Sequence, residues 1–111
     1  MPAEKILVVD DEQSMTQLLG IVLRKEGYQV TVSNNGRDAL EKVRAESFDV
    51  VITDKAMPGI NGEELAAAIH LSDPRMPVIL MTGFGEMMKA AGEMPPHIST
   101  ILSKPFTFAT L

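Results

Sequence analysis

The 111-residue sequence has no cysteine, no tryptophan and only two histidines, His70 and His97. Without cysteine there is no disulfide framework and no thiolate metal or redox site. Two histidines do not make a histidine-rich metal centre. Aromatic residues stop at four Phe and one Tyr, too few for a base-stacking platform. No apolar run approaches the roughly 18 residues that a membrane helix needs. Met1-Pro2-Ala3-Glu4-Lys5 passes directly into Ile6-Leu7-Val8-Val9, without the charged segment and long apolar stretch of a secretory leader. Ten basic against 15 acidic residues give a net charge of −5, which argues against nonspecific nucleic-acid binding. These absences leave the expectation of a cytoplasmic domain with no membrane contact and one core over residues 1–111. Composition agrees: 45% hydrophobic and 23% charged is ordinary for a globular domain.

What is present is an alternation. Ile6-Leu7-Val8-Val9 is a continuous apolar run ending at Asp10-Asp11, and such runs read as strands buried on both faces. Met15, Leu18, Leu19, Val22 and Leu23 follow at the spacing of a core-facing helical stripe, and Gly27 is placed to end that helix. Tyr28 to Ser33 alternates with period two, which predicts a half-wet edge strand. Asn34-Asn35-Gly36 is a turn or helix-start signal, and Ala39, Leu40 and Val43 ride the helix behind it. Phe48 to Thr53 reads as a central strand ending at Asp54. Met57-Pro58-Gly59 breaks the chain. Asn61 is placed to cap a helix with Glu63 and Glu64 near its positive end; Leu65, Ala66 and Ile69 form its stripe, and Pro74 closes it. Pro77 to Met81 is a fourth strand ending at Thr82-Gly83. Residues 86–91 read as a short helix stopped by Gly92 and Pro95-Pro96, and Ile98 to Ser103 as a weaker fifth strand before Lys104. Strands alternating with helices predict an α/β fold with a parallel sheet covered on both faces. Ligands of such sheets bind beyond the carboxyl ends of the strands.

Five polar residues sit at those ends: Asp10, Asp11, Asp54, Thr82 and Lys104. Singly, each has an ordinary explanation: a turn, a helix cap, a surface lysine. Their joint placement at four strand ends is hard to reach by chance. Carboxylates gathered at one sheet edge repel one another, and a hard divalent cation relieves this. Mg²⁺ prefers one or two carboxylates with water and phosphate oxygens. A hydroxyl and an ammonium beside it suit a phosphoryl group, and a carboxylate can itself be the nucleophile, giving an acyl phosphate. The residues thus point to Mg²⁺-assisted phosphoryl transfer onto an aspartate.

Val8-Val9-Asp10-Asp11-Glu12, Thr53-Asp54 with Met57-Pro58-Gly59 and Asn61-Gly62, Thr82-Gly83, and Lys104-Pro105-Phe106 together resemble the receiver domain of bacterial two-component response regulators, over nearly the whole chain. The resemblance implies a flavodoxin-like three-layer α/β/α sandwich with five parallel strands in the order 2-1-3-4-5. It implies Asp54 as phosphoacceptor, Asp11 and Asp10 as Mg²⁺ ligands with Asp54, and the backbone carbonyl of Ala56 as a further ligand. Thr82 would bond the phosphoryl group and Lys104 would pair with it. The implied donor is a sensor histidine kinase or phosphotransfer protein. The implied target is an output domain or downstream protein, with self-association as a homodimer one option and no direct nucleic-acid contact. The chemistry would be self-catalysed within a signalling domain, not that of an enzyme on a separate substrate.

The sequence departs from that pattern in three places. Ile101 stands where the family often has an aromatic switch residue. The fourth helix is usually longer in the family, but Pro95-Pro96 cut it here. The fifth helix that follows Lys-Pro-Phe is missing or truncated at Leu111, which suggests a piece of a longer regulator or hybrid kinase. Competing readings fit less well. A haloacid-dehalogenase-type hydrolase wants Asp-x-Asp after strand 1, whereas Asp10 and Asp11 are adjacent. A flavodoxin wants a Ser/Thr-rich phosphate loop there. A receiver fold kept only for interaction would not need the intact acids, Thr82 and Lys104.

Overall fold

A computed structural model describes residues 4–55, 57, 59–82, 98 and 100–103 of the chain. In chain order the elements are β1 (Lys5–Val9), α1 (Gln13–Lys25), β2 (Gln29–Ser33), α2 (Gly36–Ala45), β3 (Val50–Asp54), α3 (Gly62–Ser72), β4 (Val78–Thr82) and β5 (Thr100–Ser103). The strands form one parallel sheet in the order β2-β1-β3-β4-β5. This is the expected flavodoxin-like arrangement. The predicted short helix at 86–91 and anything helical after Lys104 lie outside the described residues.

The continuous apolar runs are explained by cover on both faces. Leu7, Val9, Val51, Val78 and Leu80 pack with Ala39 of α2 and Leu65, Ala66 and Ile69 of α3. On the other face Ile6, Val8, Ile52 and Met81 pack with Leu19 and Leu23 of α1. Three layers result, with β1 and β3 in the dry centre. Each fully buried aliphatic side chain contributes roughly 1.5–3 kcal/mol. Phe48 and Met57 lie outside the strands yet are buried in the α2–α3 side of the core.

The α1 stripe is rotated relative to the sequence expectation. The core side of the helix carries Thr16, Leu19, Gly20 and Leu23. Leu18, expected inside, is 45% exposed, and Ile21 beside it is 58% exposed; Met15 and Val22 are half-buried. Thr16 is tolerated inside because its hydroxyl donates to the Gln13 carbonyl at 2.9 Å. The helix ends as expected: Gly27 has φ 95°, its N–H reaches the Arg24 carbonyl, and the Tyr28 N–H reaches that of Leu23. This is a Schellman closure, which requires the left-handed residue. α3 starts with a full capping box, Asn61 accepting from the Glu64 N–H while Glu64 accepts from the Asn61 N–H, and its stripe of Leu65, Ala66 and Ile69 is fully buried as predicted.

Strand β2 is an edge strand, as its alternation predicts. Its outward carbonyls at Val30 and Val32 accept from Arg24 at 3.0 Å and from Lys42 at 2.7 Å. Lys42 also pairs with Asp38 at 2.8 Å, and the buried Ser33 hydroxyl donates to the same carboxylate. Lys42 foremost, then Ser33, holds the Asp38 carboxyl below its ordinary value of 3.8. The folded state therefore binds this proton more weakly than the unfolded chain does. The network's contribution is complete above the unfolded value and is lost as pH falls through the lower folded value. Being part-exposed, it is worth no more than about 1 kcal/mol. Asp38→Asn should lower the urea midpoint at neutral pH, and the two proteins should converge as pH drops below 3.8. A gap that stays constant with pH would show that the ion pair is not its source.

Candidate functional site

Register decides which polar residues meet. Val9 pairs with Thr53, and Thr53 with Leu80. The next step places Asp10 beside Asp54, and Asp54 pairs with Met81, with Thr82 one residue further along β4. The three acids converge: ligand oxygens of Asp10, Asp11 and Asp54 lie within 4.8 Å of one another. Asp10 and Asp54 are buried, at 0% and 8% exposure, and Thr82 is buried beside them. Asp11 is exposed. Lys104 and Ala56, expected at this edge, lie outside the described residues.

Asp10 is held by its backbone and by its carboxylate. Its N–H donates to the Ser33 carbonyl at 3.1 Å, continuing the β1–β2 ladder past the strand end. Its Oδ1 accepts from the Glu12 N–H at 2.9 Å, and its carbonyl accepts from Asn34 Nδ2 at 3.0 Å. Asp10-Asp11 therefore does not act as a helix cap. The N-cap of α1 is Glu12, with no side-chain capping bond, and the adjacent acids turn toward the sheet edge.

The chain is fixed just past Asp54 by the backbone of Lys55. The Lys55 N–H donates to the Met81 carbonyl at 2.8 Å, and the Gly62 N–H to the Lys55 carbonyl at 3.0 Å. Gly62, the first residue of α3, runs directly against the end of β3. A Cβ placed there would fall on the Asp54 carbonyl oxygen and within 2.8 Å of Leu80 Cδ1. The loop between reverses through Gly59, at φ 76°. Lys55 turns outward to pair with Glu63 at 3.6 Å. In the sequence Gly62 stands out only as part of a motif and Asn34 only as a turn residue. A glycine opening an otherwise well-capped helix is the signal that marks the close approach.

Chemically, this donor set fits a hard divalent cation: carboxylate oxygens only, two dry and one facing water, within one coordination sphere's reach of one another. Among the described residues no helix is long and apolar enough to cross a membrane.

Comparison with known proteins agrees with this fold. The family model of the response regulator receiver domain matches residues 6–111. The chain is 39% identical over 106 residues to the transcriptional regulatory protein ZraR of Klebsiella oxytoca, covering 96% of this chain and 24% of that protein. It is 38% identical to sporulation initiation phosphotransferase F of Bacillus subtilis strain 168, covering 96% of this chain and 86% of that protein. The chain therefore spans about a quarter of the first relative and most of the second. Among solved structures, the response regulator protein TrrA from Thermotoga maritima, in complex with Mg²⁺ and BeF, superposes with a TM-score of 0.84 at 34% identity, over 95% of this chain and 90% of that one.

The tight seat of Gly62 is testable by competing terms. Gly→Ala inside a helix normally gains about 1 kcal/mol, whereas forcing an atom into a packed site costs about 1–3 kcal/mol. Here the obstacle is backbone, which cannot rotate away, so the clash wins. Gly62→Ala should lower stability by about 1–2 kcal/mol in urea denaturation. A stabilised variant would mean that α3 can start further from β3.

Proposed function

This chain belongs to the response regulator receiver family, the phosphoacceptor signalling domains of two-component systems, and we propose that Asp54 is the residue that accepts the phosphoryl group. The convergence of Asp10, Asp11 and Asp54 carboxylates within 4.8 Å at the carboxyl ends of the two central strands carries this reading. Of the three, Asp54 ends β3, beside Thr82 at the end of β4.

In the proposed step a carboxylate oxygen of Asp54 attacks phosphorus. The bond between phosphorus and the donor's imidazole nitrogen breaks, its electron pair stays on that nitrogen, and the nitrogen takes a proton from solvent. Asp10, Asp11 and Asp54 would hold Mg²⁺, with the Ala56 carbonyl as a further ligand. When bound, the ion offsets the charge of the phosphoryl oxygens during transfer. Asp10, fixed by the Glu12 N–H, keeps one ligand in place before any ion arrives. The Thr82 hydroxyl donates to a phosphoryl oxygen and Lys104 pairs with another; the roles of Lys104 and Ala56 rest on the motif resemblance alone. Transfer and later hydrolysis are self-catalysed. The donor is a sensor histidine kinase or phosphotransfer protein in the cytoplasm. The switched state is read by an output domain, a downstream protein or a second copy of the chain. The Mg²⁺ and BeF named for the TrrA structure support the choice of ion and of phosphoryl mimic.

Incubation with acetyl phosphate and Mg²⁺ should add one phosphate-sized mass to the wild type, and EDTA should prevent it. Asp54→Asn keeps the shape and removes the nucleophile; if it gained the same acid-labile mass, another residue would be the acceptor.

Asp11→Ala separates the ligand role from stability. Saturating Mg²⁺ at 100 times its Kd should stabilise the wild type by about 2.7 kcal/mol through mass action. The variant should be at least as stable in EDTA, because one repelling charge is gone, and should show no Mg²⁺-dependent rise in Tm. An undiminished rise would remove Asp11 from the ligand set.

A further inference from the structure

We propose that Asn34 is a positioning residue for the acidic cluster, acting through the backbone of Asp10 to set the affinity for the divalent cation. The inference rests on the reading of Asp10, Asp11 and Asp54 as the cation site.

Asn34 lies in the turn between β2 and α2, 24 positions from Asp10. Its side-chain amide has two N–H donors. One reaches the Asp10 carbonyl at 3.0 Å, and the amide nitrogen also lies 3.4 Å from the Thr16 hydroxyl oxygen. Those two acceptors flank Asp11. The first is the last residue before it leaves the sheet. The second is in the first turn of α1, where Thr16 is itself fixed to the Gln13 carbonyl. Asn34 thus ties together the two ends of the short turn that presents Asp11.

The turn needs such a tie. Its helix has no side-chain cap, and its acids repel in the absence of a cation. Asp11 is exposed, so packing does not fix it. Pre-ordering a ligand before binding removes an ordering cost from the binding step. Partners that orient metal ligands without touching the metal typically change affinity by roughly 10–100-fold. Asn34 acts on one ligand through main chain, so the lower end of that range is expected.

Its neighbour Asn35 supplies an internal comparison. Asn35 is equally exposed, in the same turn, and caps α2 by accepting from the Asp38 N–H at 2.7 Å. It has no bond to Asp10 in its capping role. A change there perturbs the loop without releasing the tie.

The experiment is Mg²⁺ titration calorimetry on the full chain with no phosphoryl donor, alongside thermal melts in EDTA. Asn34→Ala and Asn34→Leu, the latter keeping volume without donors, should each raise the Mg²⁺ Kd about tenfold. Asn35→Ala should lower Tm in EDTA and leave the Kd unchanged. A wild-type Kd in both Asn34 variants, or restoration by Leu alone, overturns the proposal. So does a rise in Kd for Asn35→Ala matching that of the Asn34 variants, since loop stability would then be the cause. A wild type that takes up no Mg²⁺ removes the cation site and this inference together.

Discussion

Three carboxylates within 4.8 Å of one another is the arrangement on which the rest of this chain is organised. Like charges at that spacing push apart unless something holds them, and two of them are nearly dry. The holding is done by the sheet. β1 and β3 are adjacent central strands, packed on both faces, and their pairing fixes the step from Val9–Thr53 to Asp10 and Asp54. The apolar core thus stabilises the strands, and the strands hold the charges. Functional sites commonly break local rules that the surrounding structure sustains.

Most of this is legible in the sequence, for physical reasons. Ile6–Val9 and Val50–Ile52 are continuous because both faces of those strands are covered, and the acids that follow, Asp10 and Asp54, mark the carboxyl ends of the two strands. The caps are legible because Asn35 and Asn61 bond within three residues of themselves. The rotation of α1 is not legible. Its core side is built from Thr16 and Gly20 with Leu19 and Leu23, and small or hydroxyl-bearing residues add little to an apolar pattern. Leu18 then draws the expected stripe toward solvent. A threonine whose hydroxyl is satisfied within its own helix packs like a small apolar residue, and hydropathy cannot report that.

The site divides in the same way. Asp10, Asp11, Asp54 and Thr82 announce themselves by position at strand ends. Gly62 and Asn34 do not, because each matters through a contact made elsewhere in the chain: Gly62 against the Asp54 carbonyl, Asn34 against that of Asp10. Such contacts exist only once parallel strands and their crossovers are formed. What a motif contributes chemically is therefore easier to read than what keeps it in place.

The dressing of the β2 edge has a consequence for assembly. An edge strand offers outward backbone groups to any extended chain that drifts past. At Val30 and Val32 the acceptors are already taken by Arg24 and Lys42, reaching in from helices on opposite faces of the sheet. An incoming strand would have to expel two cations from their seats before it found a carbonyl. Extending the sheet on that side would therefore compete with two charged donors already seated on its outward carbonyls.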